Sequence, residues 1–140
     1  MEYKRFGDTI VLRAVKGEDL IIVLANLAEK ENIQIASVSG IGAADETVLG
    51  IFDTAEKKYF SRQFLGTYEI ASLTGNMTRQ DGKPYLHLHA VIANAKTGEC
   101  HGGHLNRAII CATGELFITI LPGAVGRFFD LETRLNLLQL

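Results

Sequence analysis

The residues best suited to chemistry in this chain are three histidines: His87 and His89 in His87-Leu88-His89, and His104 in Gly102-Gly103-His104. Side chains on a strand alternate between faces, so a His-x-His pair sets both imidazoles on one side. A four-residue turn over 95–98 would place Asn94 opposite Glu99 and, further along the same ladder, His89 opposite His104. Opposed residues have Cβ atoms about 4.5–5.5 Å apart. Three imidazoles that close can reach one ion at the usual Zn–N distance of about 2.0–2.1 Å, leaving a fourth position for water or a small ligand. The register decides this, because a turn one residue longer or shorter removes the direct opposition. In the absence of a metal the same residues would be hydrogen-bonded or surface histidines. His101 falls on the other face, away from the site. Imidazole suits several divalent transition metals, and zinc is the first expectation, with iron or nickel as alternatives.

Such a site needs a hairpin with a packed back. Leu86, Leu88, Ala90 and Ile92 alternate with the histidines and supply that core face. Further β-rich runs predict strands over 9–15, 33–38, 46–52, 58–65, 68–78, 85–94, 99–108 and 115–121. Turn signals separate them at Gly66, Asp81-Gly82-Lys83-Pro84, Lys96-Thr97-Gly98 and Thr113-Gly114, and Asp-Gly between two strands is a strong hairpin signal. One helix is predicted over 18–32, where Leu20, Ile21, Leu24, Leu27 and Ala28 recur at helical spacing. Glu18 and Asp19 are expected in its first turn, and Asn32 ends it. Gly40-Ile41-Gly42-Ala43-Ala44-Asp45 interrupts a strand. It lacks the third glycine and the following helix of a dinucleotide loop, so a bulge or tight bend is expected. The fold class is α+β: a single domain over 1–140, a mostly antiparallel sheet packed against a helix.

Composition narrows the functions available. A chain of 140 residues with 47% hydrophobic and 21% charged residues suits one globular domain, without internal repeat or linker. The formal charge of −2 gives no electrostatic reason to expect a phosphate backbone as partner. No apolar leader core is seen in Met1–Phe6, and the longest apolar stretch, 20–28, is too short to span a bilayer. A soluble, cytoplasmic protein is expected. Cys100 and Cys111 lack metal-cage or disulfide spacing, so both are expected reduced, with Cys111 in the core.

Other catalytic groupings are weak. Cys100 and His101 are strand neighbours that point to opposite faces, and Ser37, Ser39 and Ser72 sit in no nucleophile elbow. Arg127 and Arg134 are candidates to anchor an anionic ligand, with surface salt bridging as the ordinary alternative.

Several segments read together carry a family resemblance: Lys16-Gly17-Glu18-Asp19-Leu20, Val38-Ser39-Gly40-Ile41-Gly42, Gly66-Thr67-Tyr68-Glu69-Ile70-Ala71-Ser72-Leu73-Thr74-Gly75, Tyr85-Leu86-His87-Leu88-His89-Ala90 and Gly102-Gly103-His104-Leu105. The chain resembles a stand-alone PPC domain, also called PCC or DUF296, which plant AT-hook nuclear proteins share with prokaryotic proteins. The resemblance implies one major antiparallel sheet, a homotrimer, a histidine-lined site able to hold a metal, and a distant fold relationship to acetolactate decarboxylases. Plant members contact DNA through a separate Arg-Gly-Arg-Pro hook, which this chain lacks. Thr67 and Tyr68 replace the Arg and Phe of the plant Gly-Arg-Phe-Glu-Ile element. Glu69, in that element, lies between apolar neighbours. As a half-buried carboxylate it would need a partner, and it is a weak candidate for a general base.

Three readings follow. The first is a trimeric protein binding a divalent transition metal or small ligand through His87, His89 and His104. The second is a DNA-associated or transcription-regulatory interaction module, with direct DNA contact disfavoured by the missing hook and the acidic balance. The third is a metal-dependent enzyme on the same site, with the ion acting as a Lewis acid.

Overall fold

Long runs of alternating buried and exposed residues build most of this molecule, whose computed structural model describes residues 1–140. The elements are β1 (Glu2–Phe6), β2 (Thr9–Val15), α1 (Leu20–Lys30), β3 (Ala36–Asp53), β4 (Lys58–Gln80), β5 (Lys83–Asn94), β6 (Cys100–Ile120), β7 (Gly126–Asp130) and β8 (Leu135–Gln139). The first six strands form one antiparallel sheet in the order β1-β2-β6-β3-β4-β5, and β7 and β8 form a separate hairpin. A further pairing of β5 with β6 closes β3, β4, β5 and β6 on one another. The start of β6 is therefore shared between β3 and β5, and this is where the histidines meet.

The expected α+β class holds, but the strand boundaries need correction. The end of segment 33–38, from Ala36, and segment 46–52 belong to one strand, β3, as do 58–65 with 68–78 in β4 and nearly all of 99–108 with 115–121 in β6. Gly66 and Thr113-Gly114 are therefore not turns. They lie in strands whose pairing shifts, with irregularities on β3 between Gly40 and Gly42, Gly42 and Ala44, and Ala44 and Glu46. A glycine that lets a strand bulge and bend carries the same local signal as one that reverses it. The interruption at Gly40–Asp45 is a bulged stretch, as expected. β1, β7 and β8 escaped the sequence reading because they are short and lack a clean apolar alternation.

The predicted turns at Asp81-Gly82 and Lys96-Thr97-Gly98 do form. Gln80 pairs with Lys83 around Asp81-Gly82, both with positive φ (51° and 76°), the conformation that matches the twist of paired strands.

The helix starts later than expected. Asp19 is its N-cap, its Oδ1 accepting from the Ile21 amide at 3.0 Å, and no acid lies in the first turn. Glu18 instead pairs with the terminal amine of Met1 and accepts from the Val15 amide at 2.9 Å, tying β2 to the chain start. Asn32 ends the helix in a left-handed conformation, with φ 49°. Leu20, Leu24 and Leu27 are fully buried against a core that includes Ile10, Leu12, Leu88, Ile92, Ile110 and Ile118. Each such leucine is worth about 1.5–3 kcal/mol of burial, which clamps α1 to the backs of β5 and β6. No helix is long and apolar enough to cross a membrane.

Candidate metal centre

The site is built by a turn that its own first residue fixes. The Asn94 side chain accepts from the amides of Lys96 (2.9 Å) and Thr97 (3.1 Å), while its backbone accepts from Gly98 and donates to Glu99. That closes a four-residue loop over 95–98. The ladder that follows runs without a bulge from Ala93 opposite Cys100 to His89 opposite His104. Leu88, Ala90 and Ile92 are buried on its back, so the histidines are forced to the front.

Two glycines bring the neighbouring strands close. A Cβ at Gly103 would lie 2.5 Å from the Gly50 carbonyl oxygen of β3, and one at Gly75 of β4 would lie 2.0 Å from the carbonyl oxygen of His87. Gly103 thus permits close backbone approach, whereas a Cβ at Gly102 would meet its nearest neighbours at an ordinary 3.6 Å.

Three imidazoles converge here. Their ring centroids are 4.2 Å apart for His89 and His104, 5.1 Å for His87 and His104, and 5.3 Å for His87 and His89. One ligand nitrogen from each lies within 4.8 Å of the others. Two nitrogens on one zinc are at most about 4.2 Å apart, so small side-chain rotations complete the gathering. Burial, then the neighbouring charges of His104, Arg127 and His89, holds the His87 pKa below its ordinary 6.5. Burial, then His89, does the same for His104. These two rings therefore stay neutral at pH 7, with lone pairs free for a metal. Three nitrogen donors on one face fit a transition metal, which when bound would act as a Lewis acid at its open position.

A cavity of about 700 Å³ opens onto His87 and His104. Tyr59, Tyr85 and Arg127 line it, and Leu135 and Leu137 of β8 give it an apolar wall. The Arg127 guanidinium lies 4.3 Å over the Tyr85 ring. It donates to Thr78 Oγ1 (2.8 Å), Asn76 Oδ1 (2.7 Å) and the Asn136 carbonyl (2.8 Å). Tyr59 stands 5.9 Å from His104, ring to ring, its hydroxyl donating to Asn106 Oδ1 at 2.8 Å.

The Plants and Prokaryotes Conserved (PCC) domain matches residues 1–122. The chain belongs to the PCC domain family. The fold is similar to that of a Bacteroides thetaiotaomicron protein named "putative DNA binding protein", at TM-score 0.94 and 27% identity over 99% of this chain and 96% of that one. It is similar to a metal-containing protein of Archaeoglobus fulgidus, at TM-score 0.85 and 34% identity over 97% and 95%. A plant- and prokaryote-conserved (PPC) protein of Pyrococcus horikoshii matches at TM-score 0.84 and 27% identity over 99% and 94%. The expected distant likeness in fold is also found: a Staphylococcus aureus protein similar to α-acetolactate decarboxylase matches at TM-score 0.51 and 14% identity, over 85% of this chain and 54% of that one. No curated protein matches the sequence.

The other candidates separate clearly within this PCC domain. Glu69 is exposed and not half-buried as expected. It pairs with Ala93, four residues along β5 from His89, roughly 13 Å at the rise of a strand. Its flanking residues Tyr68 and Ile70 are buried, and alternation along the strand turns Glu69 outward. His101 lies on the opposite face, as parity requires, with its ring 4.4 Å from that of Phe64 and its Nε2 3.2 Å from Glu99 Oε1. Cys100 is exposed and Cys111, expected in the core, is only half-buried beside the β3 bulge; both are free. Arg127 and Arg134 both line the cavity. The sequence reading missed Tyr59, Tyr85 and Asn76 as site residues. Asn76 was the most accessible of them, since it pairs with His87 once β4 and β5 are in register.

Proposed function

We propose that this PCC-domain protein binds one divalent transition metal per chain, zinc in the first instance, through His87, His89 and His104, as a cytoplasmic homotrimer. The observation that carries the reading is the convergence of three imidazoles, two of them held neutral, on one rigid ladder. The name of the Archaeoglobus relative, a metal-containing protein, supports it. Exposed Ile41 and Phe117 (59% and 53%) share an outer face of β3 and β6, and a second copy would cover them. The test is elemental analysis of untagged protein purified without chelator, with sedimentation equilibrium alongside. About one metal per chain, lost in His87→Ala, His89→Ala and His104→Ala with the fold intact, and a mass of three chains are expected. Metal retained in all three variants would overturn the metal reading, and a monomer would overturn the trimer.

A second reading, association with DNA, is favoured by names alone, that of the Bacteroides relative among them. Phosphate contacts are strongest at low ionic strength, so a binding titration showing no affinity there removes direct contact.

A further inference from the structure

We propose that the cavity beside the histidines takes a small organic acid, its carboxylate on Arg127 and a second oxygen turned toward the three imidazoles. The proposal rests on the metal-binding reading for the second contact and on Arg127 for the first.

The charge pattern of the cavity carries the argument. Its lining holds Arg127, Arg134, His87 and His104 but no aspartate or glutamate. Neither arginine has a carboxylate within salt-bridge distance. Arg127, a residue of β7, is partly buried, where an unpaired cation is disfavoured. A divalent ion on the three imidazoles would raise the positive charge further, so an anion is the ligand that this charge pattern favours.

The guanidinium is also placed for recognition. Guanidinium has five N–H donors, and three are used by Thr78, Asn76 and the Asn136 carbonyl. Those three bonds and the Tyr85 ring fix its plane. The two donors that remain match the two oxygens of one carboxylate. Tyr85 and His87 are alternate residues of β5, about 7 Å apart along one face, which is the span of a four- or five-carbon acid. Leu135 and Leu137 would cover the methylene groups of such a ligand.

The test is calorimetry on the full chain, first with zinc alone and then with succinate on the zinc-loaded protein. Saturable succinate binding is expected, with succinamide failing to bind and inorganic phosphate binding at least about tenfold more weakly. Arg127→Lys keeps the charge and loses the fork, and is expected to weaken succinate about tenfold while zinc uptake stays unchanged. Zinc uptake without succinate binding would overturn the acid proposal and leave the metal reading standing. Succinamide binding as tightly as succinate, or phosphate binding more tightly, would also overturn it. Absence of zinc uptake would sink the metal reading instead, and succinate on the metal-free protein then tests Arg127 alone, no binding overturning the proposal.

Discussion

Two groups of potential metal ligands lie on the bent strands of this domain, and only one converges. His87, His89 and His104 stand on an unbroken ladder, where regular pairing keeps side chains on one face and at fixed spacing. Asp45, Glu69 and Cys111 lie instead spread around the β3 and β6 bulge, where Asp45 has no partner residue in the ladder with β4 or β6. There, burial pushes the Cys111 thiol pKa up, and the carboxylates of Asp45 and Glu69 raise it further. A thiol that resists ionisation is a poor ligand. Regular pairing builds the site, and the bulge disperses comparable residues.

The largest effect that would break this contrast is expected from Gly75→Val. The added side chain meets the His87 carbonyl and the Leu88 backbone, so the β4–β5 spacing at the site cannot persist. A loss of about 3 kcal/mol or more is expected in urea unfolding. Parental stability would mean that the spacing relaxes freely. A smaller effect is expected from pH. Because His87 and His104 have pKa values lowered below 6.5 in the fold, the unfolded chain takes up more protons there. The stability of the metal-free protein should therefore be full above 6.5 and fall as pH drops through the window below it. His87→Gln with His104→Gln should flatten that slope, and an unchanged slope would refute the assignment. The smallest effect is at the bulge. Glu69→Gln is exposed and should change stability by no more than about 0.5 kcal/mol and leave metal content unchanged. Loss of metal in that variant would return Glu69 to the site.

The same contrast explains what the sequence made legible. From Ala93 to His89, parity and a four-residue turn suffice to place the histidines, because Asn94 fixes the loop and no residue is skipped. At the bulges parity fails. Gly66 and Gly114 resemble turns although the chain runs on through them, so three long strands read as six short ones. Glu69 read as half-buried because its flanking residues are buried, but alternation turned it outward. Tyr59 reaches the cavity from an element that sequence order places far from the histidines, and no local pattern announces it; Arg127 stands out in the sequence as a candidate anion anchor, but only the fold sets it beside the histidines.

The most direct test of three histidines sharing one ion is cobalt(II) substitution followed by visible spectroscopy. Intense ligand-field bands of a four-coordinate, nitrogen-rich site are predicted, abolished in each of His87→Ala, His89→Ala and His104→Ala and retained in Cys111→Ser. Bands that survive the histidine variants, or a sulfur-to-cobalt charge-transfer band lost in Cys111→Ser, would contradict the account.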